Sequence, residues 1–202
     1  MKEHPILFSG PMVRAILEGR KTQTRRAVVA RHVPDLSSWS LRGLQVYPDG
    51  GLRAVFDGDE EPVGVPCPYG APGDRLWVRE TWAGDDCCGY VYRADHPDAD
   101  LRAGDLDDGE QSIRRWHPSI HMPRAASRLT LALTAVRVER LHDISDADIE
   151  AEGVTSGTPP CLAHLRRAVL RDGWERLWKS TAGIESWNAN PWVWALSFEV
   201  VR

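Results

Sequence analysis

Near the N-terminus the apolar period changes twice. Pro5 to Ser9 is a short apolar run with strand character, and Gly10-Pro11 then sets a proline in the first turn of a helix that reaches Glu18. Met12, Ile16 and Leu17 form its expected buried stripe, and Gly19 is the expected stop. A second strand is predicted from about Thr22 to Val29. Pro34 to Pro72 is rich in proline and glycine, which predicts an insertion holding at most a small hairpin around Leu44 to Phe56. Gly73-Asp74 then turns into an alternating strand with Leu76, Val78 and Glu80 on one side and Trp77 and Arg79 on the other. Gly89 to Ala94 is a further short strand.

The clearest strand is Arg128 to Leu141. Leu129, Leu131 and Leu133 alternate, and Val136 and Val138 then alternate in the opposite phase. A slip of one residue near Thr134 predicts a bulge, a device that helps a sheet curl into a barrel. Ser145-Asp-Ala-Asp148 resembles a capping box that opens a short helix ending at Gly153. Leu162, Leu165, Val169, Trp174, Leu177 and Trp178 mark a longer helix weakened by Gly173, and Trp192 to Val201 is a last alternating strand. The expected fold is α+β and mostly β: a small barrel with flanking helices, one domain over residues 1–202, and long insertions near 34–72 and 94–127.

Composition changes this picture little. The 202 residues are 42% hydrophobic and 27% charged, ordinary for a globular chain with a real core. No apolar window approaches the length of a membrane helix, and Pro5 to Phe8 is too short for a signal-peptide core, so a cytoplasmic location and no membrane partner are expected. Cys67, Cys87, Cys88 and Cys161 lack the spacing of a disulfide framework or a zinc site, so free thiols and no metal are expected. The net charge of −4 argues against coating nucleic acid by bulk electrostatics. Charge is uneven, however: Asp95 to Glu110 carries seven acids against one arginine, whereas Arg114 to Arg128 holds four arginines, two histidines and no acid. A local groove for RNA or single-stranded DNA, lined by Arg114, Arg115, Arg124 and Arg128, is therefore a second expectation.

Candidate chemistry concentrates where the first helix ends. Gly19-Arg-Lys-Thr-Gln-Thr-Arg-Arg26 supplies a lysine, two threonines and three arginines just as the chain should enter a strand. A lysine and a threonine three apart can act as base and hydroxyl nucleophile, and the arginines can hold phosphate or carboxylate. Positions 21 and 24 of a regular strand point to opposite faces, so Lys21 must lie before the strand or the strand must bulge. Trp116 to Arg124 can form a rim that stacks a base and contacts phosphate, and Tyr69 and Trp82 are the aromatics expected near a pocket. The nucleophile elbow, the phosphate-binding loop and the zinc deaminase pattern are absent from the sequence.

The run from Pro5-Ile-Leu-Phe through Ile16-Leu-Glu-Gly-Arg-Lys-Thr-Gln-Thr-Arg-Arg26 resembles the opening of an ASCH domain, a β-barrel family related to the PUA RNA-binding fold. Gly73-Asp74 and the acidic stretch Asp146 to Glu152 resemble further family features. The chain matches the family signature at Gly19, Lys21 and Arg26 but carries Thr24 where glutamate is usual. In that it is similar to the N4-acetylcytidine amidohydrolases, with other likenesses to longer phage-type members. The resemblance implies a metal-independent, cofactor-free amidohydrolase that removes an acyl group from the exocyclic amine of cytidine. Lys21, Thr24 and Glu152 are its implied catalytic group, with Glu150 the competing carboxylate. Candidate substrate contacts are Arg20, Arg26, Tyr69, Glu80, Trp82, Ser119, His121 and Arg124. The implied partner is a modified cytosine nucleoside; a non-catalytic RNA- or single-stranded-DNA-binding module and an ASCH-type ribonuclease are the alternatives.

Overall fold

The computed structural model describes residues 1–30, 36, 38–58, 61–85, 89–97, 116–157 and 160–201. Among them the chain is mostly β, with ten strands in mixed sheets and four α-helices. The main sheet has five strands in the order β1, β6, β9, β10, β2. These are β1 (Glu3–Leu7), β6 (Arg75–Arg79), β9 (Thr130–Arg140), β10 (Trp192–Val200) and β2 (Gln23–Ala27). Strand β1 runs parallel to β6, and the other pairs are antiparallel. No pairing among the described residues closes this sheet, so β1 and β2 are its edges.

The phase slip in β9 has its predicted consequence. Ala135 pairs with Ser197 and Leu133 with Phe198, so Thr134 is the extra residue of a register shift. Leu131, Leu133 and Val136 are all buried as a result. Strand β10 is apolar on both faces because both are covered. Trp194, Leu196 and Phe198 enter the main core, while Val193 joins a second cluster with Leu170, Trp174 and Trp178 of helix α3 (Arg166–Ala182).

Helix α1 (Gly10–Leu17) begins with its proline as predicted, and Gly19 leaves it at φ +72°, a conformation that favours glycine. Its buried face is Val13, Ala15 and Ile16 rather than Met12, Ile16 and Leu17. Five neighbouring apolar residues, Met12, Val13, Ala15, Ile16 and Leu17, permit two stripes, and packing selects the one centred on Val13. Helix α3 is corrected in the same way. Leu170, Trp174 and Trp178 are buried, whereas Leu162 and Leu165 lie exposed in a preceding 3-10 turn, Pro160–Leu165. Gly173 does not break the helix; a Cβ there meets Val154 Cγ1 at 2.8 Å, so the glycine makes room for that side chain.

The described residues between 36 and 72 hold more than a loop with one hairpin. Strands β3 (Ser40–Val46), β4 (Leu52–Asp57) and β5 (Val63–Pro66) form an antiparallel sheet. Leu52, Ala54, Phe56 and Val65 bury into the main core, with the Phe56 ring 5.7 Å from that of Trp192. A hairpin, β7 (Trp82–Asp85) with β8 (Gly89–Tyr92), makes the third sheet. Cys87, Cys88, Arg114, Arg115 and most of the acidic run after Asp95 lie outside the described residues. No helix among the described residues is long and apolar enough to cross a membrane.

Candidate functional site

The chain leaves α1 through Gly19, and the amides of Arg20 and Lys21 both donate to the Ala15 carbonyl, at 2.9 and 3.0 Å. Lys21 therefore sits before β2, in an isolated antiparallel bridge with Glu152. Helix α2 (Asp146–Ala151) delivers Glu152 as the residue that caps its C-terminus. Ser145 caps the other end, its hydroxyl accepting from the Asp148 amide at 3.1 Å. The Thr22 amide donates to the Ala151 carbonyl at 2.8 Å, and Gly153 turns the chain away at φ +90°. Helix end meets strand start there, and their side chains pair.

Lys21 is almost fully enclosed at 1% exposure, and Glu152 at 4%. Lys21 Nζ donates to Glu152 Oε2 at 2.5 Å and to the Glu152 carbonyl at 2.9 Å. The other carboxylate oxygen, Oε1, lies 3.3 Å from Arg25 Nη1. Both oxygens of Glu152 are thus engaged inside the protein. Burial is the first cause that lowers the Lys21 pKa; Glu152 opposes it, and the nearby cations Arg26 and Arg25 reinforce it. Glu150 is elsewhere, half-buried and paired with Arg166, so the structure brings Glu152 and not its competitor to Lys21.

Strand β2 divides its side chains between two environments. Thr24 and Arg26 sit opposite Leu196 and Trp194, facing the main core, while Gln23 and Arg25 sit opposite Ser197 and Ala195. On that second face Arg25 Nε donates to Glu139 Oε1 at 2.8 Å, Arg25 Nη2 lies 3.3 Å from Asp148 Oδ2, and the guanidinium stands 5.9 Å from the Trp174 ring. On the core face Arg26 Nη1 donates to Thr24 Oγ1 and to the Arg25 carbonyl, both at 3.0 Å. Arg26 Nη2 reaches the Leu7 carbonyl at 2.7 Å, bridging the two edges of the main sheet. Lys21 Nζ and the Arg26 guanidinium share the ring of Phe8, at 5.8 and 5.1 Å from its centroid. Phe8 and Arg26 therefore link Lys21 to Thr24, with no hydrogen bond joining the two directly.

A cleft of about 490 Å³ opens beside this group, lined by Phe8, Ser9, Met12, Arg25, Arg26, Thr81 and Ser119 and by Trp178, Thr181 and Ala182 from the end of α3. A second, apolar cavity of about 510 Å³ lies past Ala27, between Tyr69, Trp194 and β5. Of the expected contacts, Arg26 and Ser119 line the cleft, and Tyr69 stands beside Arg26 from the second cavity. The others are engaged elsewhere. Arg20 pairs with Glu18, and Arg124 with Glu3 at 2.9 Å. Glu80, buried and with its pKa raised by that burial against the opposing pull of Arg128, receives Arg128 at 2.9 and 3.1 Å. Trp82 stacks on His117 at 4.8 Å, and His121 lies exposed in the 3-10 turn Ser119–His121.

Arg25 and Phe8 organise this group, yet the sequence reading counted Arg25 only among the arginines of the basic run and gave Phe8 no place in the site. For Arg25 a signal existed: Lys21, Gln23 and Arg25 repeat polar residues at the strand period, opposite acids in β9 and α2.

No protein-family model and no curated protein matches the sequence. Among solved structures the chain is similar to protein EF3133 from Enterococcus faecalis, described with the family model DUF984. The likeness has a TM-score of 0.40 and 11% identity, covering all of this chain and 81% of that one, which is too slight to carry an inference.

Proposed function

We propose that this protein is a metal-independent amidohydrolase acting on an N4-acylated cytosine nucleoside. The observation that carries the reading is the buried Lys21–Glu152 pair, linked through the Phe8 ring to the Arg26 guanidinium, which donates to Thr24 and lines the neighbouring cleft. Hydrolysis of an amide needs a nucleophile, a group that accepts its proton and a donor for the departing amine. In this reading the neutral Lys21 amine takes the Thr24 hydroxyl proton, directly or through one water, as Oγ1 bonds to the acyl carbon. The C–N bond then breaks, and the Lys21 ammonium returns the proton to the exocyclic amine. Water finally hydrolyses the acyl-threonine ester.

Burial of Lys21, with Arg25 and Arg26 nearby, supports the neutral amine this scheme requires. Glu152 acts through Lys21: it accepts two of the amine's hydrogen bonds and fixes its direction. The same proposal includes the finer fold reading, a small ASCH-like barrel, supported by the bulge at Thr134 and the Arg26 bridge between the edge strands. A nucleic-acid-binding role draws less support, since Arg124 and Arg128 are paired with Glu3, Glu80 and Asp95.

Substitution at Thr24 tests the scheme. Thr24→Ser keeps the hydroxyl and retains part of the N4-acetylcytidine hydrolysis, whereas Thr24→Val, nearly the same shape, abolishes it with the fold intact. Dialysis against a chelator leaves the wild-type rate unchanged. An active Thr24→Val protein replaces the threonine with direct attack by water, and activity lost to chelator and restored by zinc overturns the metal-independent assignment.

A further inference from the structure

The sequence reading gave Arg26 to the substrate. The geometry points elsewhere, and we propose that Arg26 is a positioning residue for Thr24, fixing the orientation of its hydroxyl while pinning together the two edges of the main sheet. The proposal rests on the amidohydrolase reading for its chemical meaning.

Thr24 is 1% exposed, and its hydroxyl oxygen accepts from Arg26 Nη1 at 3.0 Å. A threonine hydroxyl otherwise rotates to suit whatever surrounds it. The guanidinium is itself fixed from several sides: Nη1 also donates to the Arg25 carbonyl, Nη2 donates to Leu7 at 2.7 Å, Phe8 lies under it, and the Tyr69 phenol stands beside it. A guanidinium carries five N–H donors in one plane, so these contacts leave few for a ligand. A lysine at this position cannot reproduce them, because its ammonium is a point charge without the planar fork.

The attachment to Leu7 gives the device a mechanical side. Phe8 follows Leu7, and its ring is shared by Lys21 Nζ and the Arg26 guanidinium, so the contact that ties β2 to the end of β1 also sets the wall against which both side chains pack. Arg26 also adds positive charge near Lys21. The charged groups around the amine are Glu152 at the end of α2 and Arg25 and Arg26 on β2, and of these Arg26 alone touches Thr24. One residue thus orients the nucleophile and helps to keep the base neutral.

The experiment compares kcat, KM and the pH profile of N4-acetylcytidine hydrolysis for wild type, Arg26→Ala and Arg26→Lys. Expected for both variants is a fall in kcat of about a hundred-fold, the scale seen when one oriented donor is removed from an active site, with little change in KM. The pH midpoint moves upward in Arg26→Ala, which lacks the cation beside Lys21, and stays lower in Arg26→Lys. Guanidinium added at a non-denaturing concentration restores part of kcat to Arg26→Ala and none to the Arg26→Ala, Thr24→Val double variant. A rise in KM with kcat unchanged overturns the proposal in favour of direct substrate binding, and a fold-intact Arg26→Ala with wild-type kinetics overturns it outright. If Arg26→Ala does not fold, Arg26→Lys carries the kinetic comparison. If wild type releases no cytidine, the amidohydrolase reading fails, and nitrogen-15 NMR of the Arg26 side chain judges the contact itself. Hindered guanidinium rotation in wild type that is freed in Thr24→Val supports the positioning contact, and identical behaviour in the two proteins refutes it.

Discussion

Lys21 is a charge-bearing group enclosed by protein, and that alone makes it pH-sensitive. Its amine is useful as a base only when neutral, so the hydrolysis rate should rise with pH through its lowered pKa and then level. Stability follows the same sign. The folded pKa lies below the unfolded value of about 10.4, so between the two the unfolded chain binds the extra proton and stability increases with pH. Denaturation of wild type and Lys21→Met from neutral pH to about pH 10 should show wild type gaining on the variant as pH climbs; a constant difference contradicts a lowered Lys21 pKa. Arg25 belongs to the same scale. It is 2% exposed and faces Glu139, Asp148 and Glu152, so Arg25→Met leaves these acids without their shared cation. Urea denaturation should register a loss of about 3–5 kcal/mol, the range for breaking a buried pair from one side.

Helix α2 is short, and its two ends do different work. Ser145 secures the start and Gly153 the exit beside Lys21, where an added Cβ stands 3.2 Å from Lys21 Cβ and 3.4 Å from Ala15 Cβ at φ +90°. Ser145→Ala should cost about 1 kcal/mol and leave turnover nearly intact. Gly153→Ala should cost about 1–3 kcal/mol in backbone strain and also reduce turnover, because Lys21 must shift. Equal losses of turnover in the two variants would mean that α2 acts only through its stability. Element-level features of this kind were largely legible in the sequence. The phase slip at Thr134 foretold the register shift in β9, the Ser145 box foretold α2, and Gly19 foretold the exit from α1. Of the sheet β3–β5 only the hairpin around Leu44 to Phe56 was legible, because prolines and glycines break the rest of its alternation into pieces too short to weigh. The role of Arg25 was not legible, since a buried arginine and a surface arginine on an edge strand leave the same mark until their acidic partners are located.

At the scale of the molecule, the two described arginines of the stretch that looked most like a nucleic-acid groove, Arg124 and Arg128, are paired with acids. Arg128 spans Glu80, at 2.9 and 3.1 Å, and Asp95, while its guanidinium stands 4.0 Å from the Tyr92 ring. Arg128→Met should therefore destabilise the fold by about 3 kcal/mol, leaving Glu80 buried and unpaired, and should hardly alter the salt dependence of any RNA binding. Urea denaturation and RNA titration across salt read the two effects separately, and a flattened salt slope in a stable variant restores the groove. What the whole fold does, on this account, is bring the end of α1, the exit of α2 and the start of β2 together, with Arg25 and Arg26 of β2 reaching a cleft closed on one side by α3. The most direct measurement follows cytidine release from N4-acetylcytidine by absorbance, across pH, for wild type and Lys21→Arg. The account predicts release by wild type that rises with pH, and a loss of about 10²–10⁴-fold in Lys21→Arg, whose guanidinium keeps the charge but accepts no proton in this range. No release by folded wild type, or full activity in Lys21→Arg, would contradict it.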